Sequence, residues 1–185
     1  MKTHTTSVPG VRVVEPAVFT DARGWFIETF RHDRYQAAGI AVGLSFVQDN
    51  LSSSVRGTLR GLHYQRTRPQ GKLVWVTRGE VFDVVVDVRR DSPTFGAWFG
   101  TTLSAADHRQ LWVPPGCAHG FLATSEVADV AYKVTAAYAP DDERTIRWDD
   151  PDLAIGWPLT GPPVVSARDA AAPRLRDAEL PEPRA

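Results

Sequence analysis

Apolar residues along this chain recur mostly at every second position, in short runs separated by turn formers, and seldom at the spacing of a helix. Gly24–Phe30 reads GWFIETF, with apolar and polar residues in near alternation. Phe46–Ser52, Leu59–Gln65, Lys72–Arg78, Val81–Val88, Ala97–Leu103 and Asp129–Thr135 are further strand candidates. Turn signals lie between them at Arg68-Pro69-Gln70-Gly71, Arg78-Gly79-Glu80, Asp91-Ser92-Pro93 and Pro114-Pro115-Gly116. Many short strands at close spacing predict a mainly β fold, a jelly-roll sandwich or barrel. Val81–Val88, VFDVVVDV, is apolar on nearly both faces and is expected between two layers. Helices are few and short: His32–Ala38, at best a single turn over Ala105–Gln110, and Ser166–Asp177, broken near Pro173. Residues 1–185 read as one domain without internal repeats, and 176–185, rich in Pro and charge, as a frayed tail.

Composition narrows the class. The 185 residues are 43% hydrophobic and 23% charged, the balance of a soluble globular chain with a sizeable core. A net charge of −1 argues against a nucleic-acid or membrane-surface role, though not against a small basic pocket. No apolar run approaches the roughly 20 residues of a membrane span. Met1–Gly10 is polar, so a secretory signal is not expected. Cys117 is the only cysteine, which excludes an intrachain disulfide and fits a cytoplasmic location.

The chemistry begins at Arg60-Gly61-Leu62-His63-Tyr64-Gln65. As a strand, this puts Arg60, Leu62 and Tyr64 on one face and Gly61, His63 and Gln65 on the other. His63 and Gln65 then point into the barrel beside Lys72. A lone histidine here is more often structural, and Lys72 is as well read as a surface lysine after a turn. A second segment, Trp112–Phe121, changes the balance. Its Pro114-x-Gly116-x-x-His119 resembles the second half of the cupin signature, whose first half carries two histidines and then a glutamate. His63, Gln65 and Lys72 stand in those places, so two usual metal ligands are replaced, and a cupin barrel with no metal is expected. A histidine suits proton transfer near neutrality, and a fixed cation stabilises the enolate left by deprotonation next to a carbonyl. Inverting the carbon also needs an acid on the far side. Tyr132, sharing a strand face with Val130 and Val134, is the candidate, although a core tyrosine is the commoner fate.

Further motifs accompany these in fixed order: Asp21-Ala22-Arg23-Gly24 with Phe26 and Glu28, Gln48-Asp49-Asn50, Gln70-Gly71-Lys72, Ser92-Pro93-Thr94-Phe95-Gly96, Tyr132-Lys133, Tyr138, Glu143, Trp157-Pro158 and Asp169. With them the chain, from about Val11 to about Leu175, resembles the dTDP-4-dehydrorhamnose 3,5-epimerases. The resemblance implies that His63 is the catalytic base, Tyr132 the acid, Asp169 the carboxylate that orients the histidine, and Lys72 the enolate stabiliser. It implies substrate contacts for Arg23, Glu28, Gln48, Asn50, Arg60, His119 and Glu143. Tyr138 against the thymine ring and Arg168, where lysine is usual, are expected with them. Cys117 replaces an aromatic residue and is expected to widen one wall of the barrel. The implied substrate is a dTDP-linked 4-keto-6-deoxy sugar inverted at C3 and C5 without a cofactor. The implied assembly is a homodimer in which Arg23 and Glu28 serve the neighbouring subunit. A single-site 3- or 5-epimerase of antibiotic deoxysugar synthesis, a 3,4-ketoisomerase and a non-catalytic sugar-binding cupin are the alternatives.

Overall fold

The structure is a computed structural model that describes residues 1–181. Strands β1 (Lys2–Thr5), β2 (Arg12–Glu15), β3 (Val18–Asp21) and β4 (Gly24–Ile27) precede helix α1 (His32–Ala37). Strands β5 (Gln48–Val55), β6 (Leu59–Gln65), β7 (Lys72–Arg78), β8 (Glu80–Asp87) and β9 (Trp98–Ser104) follow. The remaining strands are β10 (Gln110–Val113), β11 (Cys117–Ala123), β12 (Val127–Val134) and β13 (Glu143–Thr145), before helix α2 (Ala167–Ala170) and a 3-10 turn, Leu175–Asp177. One sheet has the order β1-β2-β10-β7-β12-β5, the other β13-β6-β11-β8-β9, and β3 and β4 form a separate hairpin. The ladders are antiparallel. The mainly β jelly-roll expectation therefore holds, with two sheets face to face.

The packing follows from alternation. Inward residues of both sheets, among them Val74, Val76, Leu111, Val130, Val81, Val85 and Phe121, form the central core. The neighbouring β8 residues Val84 and Val86 face outward, as a strand apolar on both faces requires. There they are covered by Leu153, Trp157, Leu175, Ala178 and Leu180. A third cluster places Tyr35 and Ile40, in and just after α1, over Val14, Leu73 and Trp112 of the six-stranded sheet. No described helix is long and apolar enough to cross a membrane.

The C-terminal covering corrects one expectation. Residues 176–181 do not fray: Ala178 and Leu180 are only 7% and 6% exposed, and the Leu175 amide donates to buried Asp150 at 2.6 Å. The apolar residues there have a bare sheet face to cover, which outweighs the local content of Pro and charge. Residues 182–185 lie outside the described residues. The segment Ser166–Asp177 divides into α2 and the 3-10 turn on either side of Pro173, and the stretch after Ser104 is a turn leading into β10.

A bulge in β6 shapes the site. His119 of β11 pairs with His63, but Phe121, two residues on, pairs with Arg60, three residues back. The extra residue breaks the alternation. Arg60 and His63, expected on opposite faces, both line the same cavity. Gly61 sits inside the bulge at φ +128°, where a Cβ would stand 2.5 Å from Gly120 Cα and 2.8 Å from the His119 carbonyl oxygen. Both obstacles are backbone of the adjacent strand and cannot swing aside. Gly61→Ala is expected to lower stability by roughly 3 kcal/mol, combining backbone strain with overpacking. Chemical denaturation checks this, and a midpoint equal to wild type would contradict it.

Candidate active site

At one end of the sandwich the interior changes character. β5 alternates, and its inward residues Gln48, Asn50 and Ser52 are polar. Together with β7 and β12 they face β6, β11 and β13 across a cavity of about 390 Å³. Arg60, His63, Gln70, Lys72, His119, Phe121, Tyr132, Tyr138 and Glu143 complete its wall.

His63 has a carboxylate behind it. Its Nε2 lies 2.7 Å from Asp169 Oδ1, and Asp169 is only 3% exposed. Ser166 caps α2 by accepting the Asp169 amide at 3.0 Å, and the Gly61 amide approaches the second carboxylate oxygen at 3.4 Å. Burial alone would raise the Asp169 carboxyl, but the bonds from His63, Gly61 and Ser166 outweigh it and hold the group below its ordinary value. An ionised Asp169 fixes the ring proton on Nε2 and leaves Nδ1 with a free lone pair.

Lys72 opens β7 and is 8% exposed. Its Nζ donates to the His63 carbonyl at 3.3 Å. Burial pushes the ammonium down to about 8, against the pull of the Glu143 and Asp83 charges. It is therefore still mostly charged at neutral pH. Asp83, the one acidic residue inside the VFDVVV run of β8, is fully buried. Its two oxygens lie 2.8 and 3.0 Å from His119 Nε2. Because His119 and His63 are paired across β6 and β11, the cavity wall carries two neighbouring imidazoles, each with its own carboxylate.

Tyr132 stands on the opposite sheet, next to Asn50 of β5. Burial, and then the Glu143 charge, raise its phenol above the usual tyrosine range, so it keeps its proton. At the mouth, Tyr138 donates its hydroxyl to Glu143 Oε2 at 3.0 Å and its amide to Gln48 Oε1 at 2.9 Å. Gln48 in turn donates to Asn50 at 2.8 Å. Arg60 reaches across to β5, donating from Nε to Ser54 Oγ at 3.0 Å. The arrangement combines a base, a neutral acid on the facing wall and a buried cation. It can remove a proton from a carbon beside a carbonyl and return one from the other side.

Of the residues expected in the site, His63, Lys72, Tyr132, Gln48, Asn50, Arg60, His119, Tyr138 and Glu143 share this cavity. Asp169 and Arg168 lie beside it, lining a cleft that also touches Arg60, His63 and Glu143. Arg23 and Glu28 do not reach the cavity of their own chain. Arg23 is paired with Asp21 at the tip of the β3–β4 hairpin, and Glu28 pairs with Arg34. Gln65 is also corrected: its side chain is spent on the Arg68 carbonyl and the Ala139 amide. Cys117 packs in the central core and lines no part of the cavity, so it widens no wall. Ser52, Gln70, Phe121 and Asp83 were not anticipated. Ser52 was readable from its strand face shared with Gln48 and Asn50, and Asp83 from its isolation among valines.

Fold and cavity together define a cupin-type barrel equipped for proton transfer at carbon. The chain belongs to the dTDP-4-dehydrorhamnose 3,5-epimerase family, whose model matches residues 5–177, and is thereby an isomerase. It is 50% identical over 179 residues to the dTDP-4-dehydrorhamnose 3,5-epimerase of Pseudomonas aeruginosa, covering 97% of this chain and 98% of that one. The crystal structure of a dTDP-6-deoxy-D-glucose-3,5-epimerase from Legionella pneumophila in complex with dTDP-4-keto-L-rhamnose superposes with a TM-score of 0.96 at 46% identity, covering 100% of this chain and 99% of that one. A 3'-monoepimerase from Streptomyces bikiniensis in complex with dTDP-quinovose superposes at 0.90 with 36% identity, covering 96% and 92%.

The buried lysine gives a test that needs no substrate. After reductive 13C methylation, the Lys72 signal is expected to titrate with a midpoint of about 8. Glu143→Gln should move the midpoint lower, because one charge favouring the ammonium is gone. A midpoint above about 10, the ordinary lysine value, would contradict the burial of this ammonium.

Proposed function

We propose that this protein inverts C3 and C5 of a dTDP-linked 4-keto-6-deoxy sugar. The observation that carries this reading is the His63–Asp169 pair on one wall of the cavity, Tyr132 on the other, and the buried Lys72 between the two sheets. The C4 ketone acidifies the hydrogens on both neighbouring carbons. His63 removes one through its free ring nitrogen, and Asp169 stabilises the imidazolium that forms. Lys72, with His119 beside it, faces the enolate oxygen. Tyr132 delivers a proton to the opposite face, and the two carbons are treated in turn. Arg60 at the mouth suits the diphosphate, since its fork binds oxygens in pairs. Gln48, Asn50, Tyr138 and Glu143 hold the rest of the nucleotide sugar. No metal or other cofactor enters this scheme. Both histidines commit Nε2 to a carboxylate, Gln65 is spent on loop backbone, and a lysine ammonium repels a divalent cation.

The likeness to a 3'-monoepimerase supports a second reading, inversion at a single carbon. Incubation with dTDP-4-keto-6-deoxyglucose in deuterated water, followed by proton NMR, separates the two. Exchange and inversion at both C3 and C5 are expected. Change at one carbon alone would establish the second reading, and no exchange would refute both. His63→Asn should cut exchange at either carbon by roughly a thousandfold or more, within the usual range for losing a general base.

The same proposal includes a homodimer and, given the nucleotide-linked substrate and lone thiol, a cytoplasmic location. The β3–β4 hairpin leaves Phe19, Trp25 and Phe26 61%, 62% and 67% exposed. Such a patch is costly in water. Docked on a second copy, it would carry Arg23 and Glu28 to that copy's cavity. Light scattering is expected to give a dimer for wild type. The double variant Trp25→Ser, Phe26→Asp should give a monomer of at least tenfold lower activity. A fully active monomer would contradict the shared site.

A further inference from the structure

Tyr138 stands at the mouth of the cavity, yet the stretch that carries it belongs to no strand. The ends of that stretch are tied down. The Thr135 amide donates to the Gly71 carbonyl at 3.0 Å, and the Thr135 hydroxyl accepts the Gly71 amide at 2.8 Å. The Asp142 carboxylate accepts the Thr67 and Arg68 amides at 2.8 and 2.9 Å. Between these ends, among the described residues, no bond between backbone groups holds Ala136, Ala137 or Tyr138. Three glutamine side chains do so instead. Gln70 donates to the Ala136 carbonyl at 2.7 Å, and Gln48 accepts the Tyr138 amide at 2.9 Å. Gln65 grips the chain on either side of Tyr138: it donates to the Ala137 carbonyl at 3.4 Å and accepts the Ala139 amide at 2.8 Å. It also donates to the Arg68 carbonyl at 2.9 Å, in the loop between β6 and β7.

We propose that Gln65 is a positioning residue that fixes Tyr138 at the cavity mouth and thereby sets the affinity for the nucleotide sugar, not the rate of proton transfer. The inference rests on the reading above, in which Tyr138 helps to hold the substrate, and deepens it. Gln65 ends β6 directly opposite Glu143 of β13, and the Glu143 carboxylate receives the Tyr138 hydroxyl. Backbone and hydroxyl of Tyr138 are thus referred to the same rung of one ladder. The alanines on either side of Tyr138 have no side chain that could do this. A primary amide suits the task because it offers two donors and an acceptor, and all three are matched here. Gln65 is buried, so an apolar side chain of similar size would leave these backbone groups without their partner. Gln65 lines no part of the cavity, so its effect on the substrate passes through the loop.

The test uses the full chain, with Gln65→Met, Tyr138→Ala and the double variant. For Gln65→Met, the Kd for dTDP and the KM for dTDP-4-keto-6-deoxyglucose are expected to rise roughly threefold to tenfold, the cost of ordering a freed side chain on binding. kcat should stay within about twofold, because the His63–Asp169 pair is untouched. In the Tyr138→Ala background the methionine should cost no further affinity, since both changes act through one ring. A fall in kcat at unchanged KM, an unchanged Kd, or losses that multiply in the double variant would overturn the proposal. Amide hydrogen exchange, followed residue by residue by NMR, reads the clamp directly and can be measured on wild type alone. The Ala139 amide, outside any strand, should exchange slowly in wild type and roughly tenfold faster or more in Gln65→Met. A wild-type Ala139 amide that exchanges at the rate of an open loop would also overturn the proposal. If the binding pattern appears but wild type exchanges no sugar proton, the proposed activity fails while the positioning role stands.

Discussion

The hydrogen bond between His63 and Asp169 joins positions 106 residues apart, and much of the architecture is arranged so that it can form. Asp169 belongs to a segment tied to the start of β6 by Val164, which accepts from the Leu59 amide at 2.9 Å and donates to the Gly57 carbonyl at 2.8 Å. Beyond that bridge the segment is held by Leu153, Trp157, Leu175, Ala178 and Leu180, which cover the outer face of the five-stranded sheet. Each large apolar side chain buried in this way contributes on the order of 2 kcal/mol. Several together offset the cost of burying a carboxylate, of the order of several kcal/mol per ion. Hydrophobic covering on the outside of the sheet thus sets a polar contact at its rim.

The same compensation runs through the cavity. Its charged groups are held in company: Lys72 within the influence of Glu143 and Asp83, His119 on Asp83, and Glu143 under Arg168. An ion buried alone is costly, and each of these groups has a partner close by. That explains why the sandwich divides into an apolar end, around β2, β8, β9 and β10, and a polar end, around β5, β6, β12 and β13. The strands are alike in backbone, and the inward residues alone distinguish the two ends.

Much of this was legible in the sequence because strand alternation is local. The strands Leu59–Gln65 and Lys72–Arg78 stand where the pattern placed them, and most of the cavity residues follow from motifs on those strands and on β5, β11 and β12. What was not legible came from interactions between strands. The bulge that turns Arg60 to the side of His63 depends on the register with β11, which β6 alone does not encode. β11 itself was hidden, because Pro114-Pro115-Gly116 reads as a turn that delivers a histidine and gives no sign that the strand continues to Ala123. The ordered C-terminus was missed for the same reason: Ala178 and Leu180 look like tail residues until the sheet they cover is known. Asp169 could be paired with His63 only through resemblance, since spacing along the chain carries no trace of the contact.

The C-terminal wrap also gives the molecule an order in time. Chains emerge from the ribosome N-terminus first, and every strand of both sheets lies before residue 146. The barrel can therefore close, with its cavity lined on all sides, while α2 is still being made. Until Ser166 and Asp169 arrive, His63 has no carboxylate behind it. A chain halted before α2 would be a vessel with the right shape and an unpaired His63, so the arrival of that helix is what completes the His63–Asp169 pair.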